Sequence, residues 1–281
     1  MSETTTPTAE SADSTVTQAR LRGESVRVSY GERAVLHEVD IAVPDGRFTV
    51  IIGPNACGKS TLLAALGRIL RPSSGSVILD GNAIHGYSTK ETARRLSLLP
   101  QTPGSPDGIV VGDLVARGRY PHQGLLRQWS DEDAAAVAEA LAATGTTELR
   151  HRRVDELSGG QRQRVWIAMV LAQATSIVLL DEPTTYLDIS HQIDVLDLCE
   201  RLHREHGRTV VAVLHDLNLA CRYATDLIAM RDGRIIGQGS PGELVTPELV
   251  REVFDLDCIV IDDPLTGSPM IVPGRRNVDR P

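Results

Sequence analysis

No apolar run in this 281-residue sequence is long enough to cross a lipid bilayer. A membrane-spanning helix needs about 20 consecutive, mostly apolar residues, whereas the most apolar runs here, residues 177–180 and 210–214, have the length of a strand. Residues 1–17 are rich in Ser, Thr and Glu, and they lack the positively charged start and the apolar stretch of a signal peptide. We therefore expect a soluble chain whose residues 1–20 form a disordered tail.

Cysteines and an excess of basic residues are also missing. The four cysteines (Cys57, Cys199, Cys221 and Cys258) have no CxxC spacing, so we expect neither a zinc site nor a disulfide framework, and a reducing cytosol is favoured. The 29 basic residues are outnumbered by 37 acidic ones, which are interspersed with them and give a net charge of -8. This balance argues against a nucleic-acid partner, whose phosphates need a basic face.

What the sequence does contain is an alternation of strand and helix patterns. Residues 21–29 and 36–43 alternate as half-buried antiparallel strands do. Helical patterns dominate residues 102–174, and strands and helices alternate again afterwards, which implies a mainly parallel sheet flanked by helices. We predict an α/β domain over residues 21–262 with a helical insert at about 102–174. A C-terminal tail, 263–281, offers little that could pack.

An apolar strand leads into a glycine-rich turn with the phosphate-loop pattern GxxxxGK[ST]. The turn consists of Gly53, Pro54, Asn55, Ala56, Cys57, Gly58, Lys59 and Ser60. Its glycines let successive backbone amides point at phosphates, and the following helix adds the positive end of its dipole. Lys59 is expected to reach the β- and γ-phosphates, Ser60 to bind Mg²⁺, and Thr61 to meet the α-phosphate. The complete pattern disfavours the alternative, a strand-to-helix turn that binds no ligand.

Two adjacent carboxylates, Asp181 and Glu182, follow the apolar strand 177–180. The carboxyl ends of strands are where ligands bind in open α/β sheets. Asp181 is expected to hold Mg²⁺ through its water shell, and Glu182 to polarise the water that attacks the γ-phosphate. A helix cap or a merely charged strand end is the alternative interpretation, and the phosphate loop argues against it.

A third element, Leu-Ser-Gly-Gly-Gln at residues 157–161, comes directly before a helical pattern. The hydroxyl of Ser158 and the amides of Gly159 and Gly160, with Gln161 beside them, make an anion site at a helix start. Taken alone, such a segment is more often an ordinary helix cap.

The phosphate loop followed about a hundred residues later by the segment 157–161 resembles the ATP-binding cassette (ABC) family, and the resemblance extends over about residues 21–261. It implies a P-loop NTPase cassette with a mainly parallel core sheet, an antiparallel β subdomain and an inserted α-helical subdomain. It also implies that two copies hold two ATP molecules between them. The Ser158 segment of one copy would then cap the γ-phosphate bound by the other copy.

The resemblance assigns roles to four further residues. Gln101 would reach Mg²⁺ and the attacking water, and His215 would bond the γ-phosphate and orient Glu182. Tyr30 would stack on adenine, and Asp188 belongs to a loop that contacts the second copy. For His215 and Tyr30 the alternatives are an ordinary surface residue and plain packing.

Some segments resemble one branch of the family, which powers uptake of iron-siderophore complexes, haem and cobalamin. They are Cys57 and residues 116–122, 184–189 and 214–218. Tyr186 together with residues 119–122 favours ferric siderophores, with haem or cobalamin import as the alternative. The resemblance then implies an ATP-hydrolysing subunit at the cytoplasmic face of the membrane. Its partners would be a second copy, two transmembrane permease subunits and, indirectly, an extracytoplasmic siderophore-binding protein.

Other classes of function fit the sequence less well. Family members that act on DNA carry long coiled coils, and those that act on ribosomes carry two cassettes and basic arms. This chain has one cassette, a short insert and an acidic balance. A P-loop kinase would not need residues 157–161.

Overall fold

The computed structural model describes residues 19–124, 129–185 and 187–274. Within these ranges the chain forms two larger sheets and one hairpin, which are flanked by helices. The strands are β1 (Leu21–Tyr30), β2 (Arg33–Val43), β3 (Phe48–Ile52), β4 (Ser74–Leu79), β5 (Asn82–Ala83), β6 (Leu96–Leu99), β7 (Ile177–Asp181), β8 (Thr209–Val213), β9 (Asp226–Arg231), β10 (Arg234–Gly239), β11 (Cys258–Asp262) and β12 (Pro269–Pro273).

The helices fall between these strands. The α-helices are α1 (Lys59–Leu66), α2 (Thr89–Ala93), α3 (Val111–Ala116), α4 (Asp131–Ala143), α5 (Gly159–Ala172), α6 (Ile189–Arg204), α7 (Leu217–Tyr223), α8 (Pro241–Leu244) and α9 (Pro247–Phe254). Short 3₁₀ turns occupy Ile84–Gly86, Arg117–His122, Thr147–Leu149 and Val154–Glu156. None of the helices in the described part of the chain is both long and apolar enough to cross a bilayer.

The larger sheet has six strands in the order β10-β9-β3-β8-β7-β6. All its neighbouring strands run parallel except β10, which forms an antiparallel hairpin with β9. A second, antiparallel sheet has the order β2-β1-β4-β5. This architecture confirms the predicted fold class, a mainly parallel core with an antiparallel β subdomain and helices.

The central strands β3, β7 and β8 are buried along their whole length. Successive side chains of a strand point to opposite faces. Val50 and Leu180 therefore join an apolar cluster that continues into the helical insert, whereas Ile51 and Leu179 join a cluster shared with α1 and the antiparallel sheet. Burial on both faces explains why these strands are continuous apolar runs rather than alternating ones.

Parallel pairing places the carboxyl ends of β3, β6, β7 and β8 at one edge of the sheet. The phosphate loop follows β3, Gln101 follows β6, Asp181 ends β7, and His215 follows β8. The topology alone thus brings together residues that are far apart in sequence.

Helices α3, α4 and α5 lie between β6 and β7, where the sequence predicts a helical insert. Both α4 and α5 begin at a serine with a full capping box. Ser130 caps α4 with Asp133, and Ser158 caps α5 with Gln161. Such reciprocal bonds satisfy backbone N–H groups that a helix start otherwise leaves without partners.

The segment Arg117–His122 joins α3 to the rest of this insert. Arg119 is buried, and its Nε donates to Oδ1 of the buried Asp133 at 2.8 Å, while its Nη1 donates to the carbonyl of Ala172 at 2.8 Å. A ring nitrogen of His122 lies 2.8 Å from the carbonyl of Gln173. This part of the siderophore-related pattern therefore stabilises the fold at the end of α5.

We expect Asp133→Ala to lower stability strongly, because it leaves the Arg119 charge buried without its carboxylate. Breaking a buried ion pair costs roughly 3–5 kcal/mol, which corresponds to a fall in Tm on the order of 10 °C for a chain of this size. Thermal unfolding measures it. The matched control is Asp131→Ala, an exposed carboxylate two residues earlier in the same helical turn. Equal Tm values for the two variants would contradict the role of the pair.

The described fold extends beyond both predicted tail boundaries, by two residues at the N-terminal end and by one strand at the C-terminal end. Strand β12 lies inside the predicted C-terminal tail and pairs with β11, and Ile271 is buried. The sequence offered few apolar residues there, but the hairpin needs just one of them to pack inward. At the other end, Arg20 Nε donates to Asp80 at 2.7 Å, so the fold includes this residue. Residues 1–18 and 275–281 lie outside the described residues.

Candidate functional site

The phosphate loop connects the buried strand β3 to α1. Gly53 and Gly58 have φ values of 154° and 109°, and a Cβ at Gly53 would lie 2.3 Å from the carbonyl oxygen of Met230. These two positions accept only glycine for that reason. The first turn of α1 carries no acidic residue, so its backbone N–H groups and dipole are free to attract an anion.

Lys59 begins α1 and lies under the loop. Its side chain is buried, and Nζ donates to the carbonyl oxygens of Gly53 and Pro54, each at 2.9 Å. These bonds hold the ammonium group inside the curve of the loop. A fixed positive charge in this place can contact the terminal phosphates of a nucleotide.

Cys57 differs from its neighbours in the loop. Its side chain is buried in the apolar cluster shared by α1 and the antiparallel sheet, and burial raises the pKa of its thiol. It lines neither of the cavities described below. The prediction that Cys57 contacts nucleotide therefore rests on its backbone, and its carbonyl already accepts a bond from the amide of Gly233 at 2.8 Å.

Ser60 and Asp181 meet across the edge of the sheet. The Ser60 hydroxyl donates to Asp181 Oδ1 at 2.9 Å. Burial raises the pKa of Asp181, and the neighbouring Glu182 charge adds to this effect. A bound cation would stabilise a buried carboxylate that lies beside a second acid. A hydroxyl and a carboxylate are also the kind of oxygen ligands that Mg²⁺ uses together with phosphates and water. These two residues therefore fit Mg²⁺.

Glu182 is held by three side chains. Its Oε1 lies 2.8 Å from His215 Nε2, and its Oε2 accepts bonds from Gln101 Nε2 at 2.8 Å and from Thr185 Oγ1 at 3.1 Å. Glu182 also has a φ of 52°, a left-handed conformation that is unfavourable for a residue with a side chain. The chain thus turns sharply at the end of β7 and places this carboxylate at the sheet edge.

The surroundings of Glu182 keep it ionised. Burial pushes the pKa of this carboxyl up, but the bonds from His215, Thr185 and Gln101 outweigh burial, and the pKa lies below its ordinary value. At neutral pH the group is therefore a carboxylate, which is the form that can accept a hydrogen bond from water.

Two cavities lie over the phosphate loop. The smaller, about 270 Å³, contains Tyr30, Asn55, Lys59, Thr61 and His215 among its walls. Tyr30 is 54% exposed, so the face of its ring is free to stack on a planar group. The larger, about 730 Å³, extends from the loop to Gln101 and Glu182.

Four residues that line these cavities were missed by the sequence analysis, namely Arg33, Val35, Thr185 and Phe254. Thr185 lies three residues after Glu182, so its position near that carboxylate could have been predicted from the sequence spacing. Arg33, Val35 and Phe254 belong to no motif that could have shown their position.

Residues 158–161 and Asp188 are predicted site residues that the structure does not bring to the phosphate loop. None of them lines either cavity. Ser158 is exposed and accepts a bond from the Gln161 amide at 3.3 Å. Gly159 has open space where a Cβ would be, whereas a Cβ at Gly160 would lie 3.3 Å from the ring of His191.

Asp188 caps α6 and accepts bonds from the backbone amide and Nδ1 of His191 at 3.0 and 2.7 Å. Hydrogen bonds from the backbone amide of His191 and from the Ser190 hydroxyl lower the pKa of Asp188 to about 2. Because His191 also faces Gly160, the Asp188 loop and the Ser158 segment form one neighbouring surface. Tyr186, part of the same predicted pattern, lies outside the described residues.

The sequence and fold are similar to those of known proteins. A profile described as ABC transporter matches residues 36–185. The chain is 58% identical over 255 residues to the ferric enterobactin transport ATP-binding protein FepC of Escherichia coli (strain K12), covering 91% of this chain and 94% of FepC. It is 52% identical to the petrobactin import ATP-binding protein FpuD of Bacillus anthracis, covering 92% of this chain and 96% of that relative.

Solved structures give the same picture. An inward-facing conformation of a metal-chelate type ABC transporter superposes with a TM-score of 0.78 at 28% identity, covering 92% of this chain and 98% of the other. The dimeric structure of MJ0796, a bacterial ABC transporter cassette, superposes with a TM-score of 0.70 at 27% identity, covering 78% of this chain and 98% of the other.

Proposed function

The chain belongs to the ABC transporter family, and from this premise we propose that it is the ATP-hydrolysing subunit of a bacterial ferric-siderophore importer. The observation that carries the proposal is the group around Glu182. A carboxylate held by His215 and Gln101 lies at the sheet edge beside a complete phosphate loop. No simple nucleotide-binding role needs a fixed base at that place.

The geometry supports the following hydrolytic reaction. Lys59 and the loop amides bind the phosphates of ATP, and Tyr30 stacks on adenine. Glu182 accepts the proton of a water molecule as the water oxygen bonds to the γ-phosphorus and the bond to the ADP oxygen breaks. When bound by Ser60 and Asp181 with Gln101, Mg²⁺ supplies positive charge that stabilises the phosphate oxygens. His215 keeps Glu182 oriented and bonds the γ-phosphate.

The separation of the Ser158 surface from the phosphate loop supports a head-to-tail pair of copies. Each nucleotide would lie between the Lys59 side of one copy and residues 158–161 and Asp188 of the other. Ser158 and Gly159 at the start of α5 are exposed and Gly160 is half-buried, and a helix start of this kind attracts phosphate. The structure of MJ0796 that superposes on this chain is a dimer, which supports a pairing of two copies.

The remaining partners follow from the proposed activity. Two transmembrane permease subunits carry the substrate, and this chain binds them at the cytoplasmic face of the membrane. An extracytoplasmic siderophore-binding protein delivers the ferric complex to the permease. Closure of the two copies on ATP and opening after hydrolysis would move the helical insert and, with it, the permease.

The choice of ferric siderophore over haem or cobalamin is supported by two relatives named for siderophore transport, both more than 50% identical over most of the chain. Identity of this extent over nearly the full length of both relatives favours a shared substrate class.

Reconstitution tests this function directly. The chain is combined in proteoliposomes with a pair of ferric-siderophore permease subunits from the same organism and with their binding protein. We expect ATP hydrolysis to rise with the permease, and ferric-siderophore uptake to require ATP. Free ferric siderophore, haem and cobalamin serve as competing substrates. Uptake of haem or cobalamin instead would reject the substrate class, and stimulation of ATP hydrolysis by DNA or RNA rather than by permease would reject the transport function.

A further inference from the structure

The C-terminal segment of the chain contributes one side chain, Phe254, to the wall of the proposed hydrolytic cavity. Helix α9 ends at Phe254, and this half-buried side chain lines the 730 Å³ cavity together with Glu182 and His215. Phe254 has no polar atom that could take part in proton transfer. Its contribution to this cavity is therefore one of shape.

The position of Phe254 is fixed by the end of its helix. Val250 and Val253 are buried, and Asp255, the residue after Phe254, ends the helix with a φ of 52°. Arg231 at the end of β9 pairs with the Asp255 carboxylate at 2.9 Å and also donates to the carbonyl of Glu252. The end of α9 is thus attached to the core sheet, which fixes the backbone position from which the Phe254 ring extends.

The hairpin of β11 and β12 acts on the same site through α7. Asn218 Nδ2 donates to the carbonyl of Ile271 at 3.2 Å, and its Oδ1 accepts from the Ile271 amide at 2.7 Å. One turn later, Arg222 pairs with Asp263 at 2.6 Å. Residues four apart lie on one face of a helix, so the hairpin region contacts one face of α7 at two successive turns.

Helix α7 begins immediately after His215, with Asp216 as its N-cap. The side chain of His215 is 44% exposed, whereas that of Glu182 is 9% exposed. The imidazole is half-exposed and is held by a hydrogen bond to Glu182. Its rotamer therefore depends on how firmly the backbone and the neighbouring cavity wall hold it. The hairpin contacts the helix that follows His215, and Phe254 lines the same cavity as the imidazole.

We propose that residues 247–274 position His215, with Phe254 bounding the cavity that the imidazole also lines and the Asn218–Ile271 contact fixing the start of α7. Phe254 and Asn218 are positioning residues, since neither is placed to touch the reacting atoms. This inference rests on the proposed ATP hydrolysis. It adds that the rate of the chemical step depends on the C-terminal segment.

Steady-state hydrolysis by the purified full-length chain tests the proposal. Phe254→Ala should lower kcat between roughly tenfold and a hundredfold, the loss expected when a reacting group is displaced by a fraction of its contact distance. The KM for ATP should stay close to the wild-type value, because the phosphate loop is unchanged. Phe254→Tyr, which keeps the ring, should restore most of kcat.

Two further variants separate positioning from general stability. Leu249→Ala truncates another half-buried side chain of α9 that packs on the core and lines neither cavity, and it should leave kcat near the wild-type value. Asn218→Ala, which removes the contact between α7 and the hairpin, should also lower kcat without changing KM. The proposal fails if Phe254→Ala keeps its kcat, or if Leu249→Ala loses as much. A wild-type chain without ATP hydrolysis would instead reject the proposed function itself.

Discussion

Replacing Glu182 by glutamine should nearly abolish ATP hydrolysis while leaving ATP binding intact. The amide keeps the size of the side chain but cannot accept the proton of the attacking water, and loss of a positioned general base typically costs about 10²–10⁴-fold in rate. Binding persists because Lys59 and the loop amides are untouched. Phosphate release measures turnover, and titration with a fluorescent ATP analogue measures binding.

The same Glu182→Gln variant should accumulate as an ATP-bound dimer, because the closed pair opens only after hydrolysis. Size-exclusion chromatography with and without ATP detects this species. The matched control is Glu148→Gln, which makes the same chemical change at an exposed position in the helical insert. This control should hydrolyse ATP at the wild-type rate and remain monomeric afterwards. Turnover by Glu182→Gln at the wild-type rate would remove Glu182 from its role.

Much of this site could be predicted from sequence because its parts are encoded locally. A run of apolar residues specifies a buried strand, and glycines at fixed offsets allow the turn that follows it. Once the strands are parallel, their carboxyl ends share one edge, so Lys59, Asp181 and His215 have to meet there. The structure places these residues together as the patterns indicated.

The features that sequence did not predict depend on contacts between distant segments. Phe254 reads as an ordinary apolar residue of an amphipathic helix, and only the path of α9 over the sheet brings it to Glu182. The hairpin strand β12 has one buried residue, Ile271, and its attachment depends on the side chain of Asn218 more than fifty positions earlier. Arg119 read as part of a substrate-related pattern, although its guanidinium is buried against Asp133.

The backbone of Glu182 is a further feature beyond sequence reasoning. Its positive φ is unfavourable by about 1–3 kcal/mol for such a residue, and no local pattern of residues demands it. The bonds from His215, Gln101 and Thr185 hold the side chain in that conformation. The contacts of Glu182 with these three residues therefore account for its unfavourable φ.

Ser158→Arg should block hydrolysis without weakening ATP binding to the isolated monomer. If Ser158 acts on the nucleotide of a second copy, a bulky cation would occupy the space where the hydroxyl and the glycine amides approach the γ-phosphate. In the single chain Ser158 lines neither cavity of the phosphate loop, so the monomer should bind the fluorescent analogue with wild-type affinity. ATP-driven dimerisation, followed by size exclusion, should be lost.

The substitution also removes a helix cap, worth about 0.5–2 kcal/mol, and this needs a control. Ser88→Arg removes an exposed serine that caps α2 through the same reciprocal bonds, here with Glu91. It should lower stability by a comparable amount and keep ATP hydrolysis. Inactivity of both variants would assign the effect of Ser158→Arg to the lost cap.

Mixing the Ser158→Arg chain with a Lys59→Ala chain tests assembly between copies more directly. In the mixed dimer one site combines intact Lys59 of the first chain with intact Ser158 of the second, and both lesions fall in the other site. Nucleotide binding at one intact site and recovery of dimer formation are expected, because neither homodimer contains an intact site. A loss of ATP affinity in the isolated Ser158→Arg monomer would instead place the Ser158 segment at the nucleotide of its own chain, and the model of two shared sites would then be wrong.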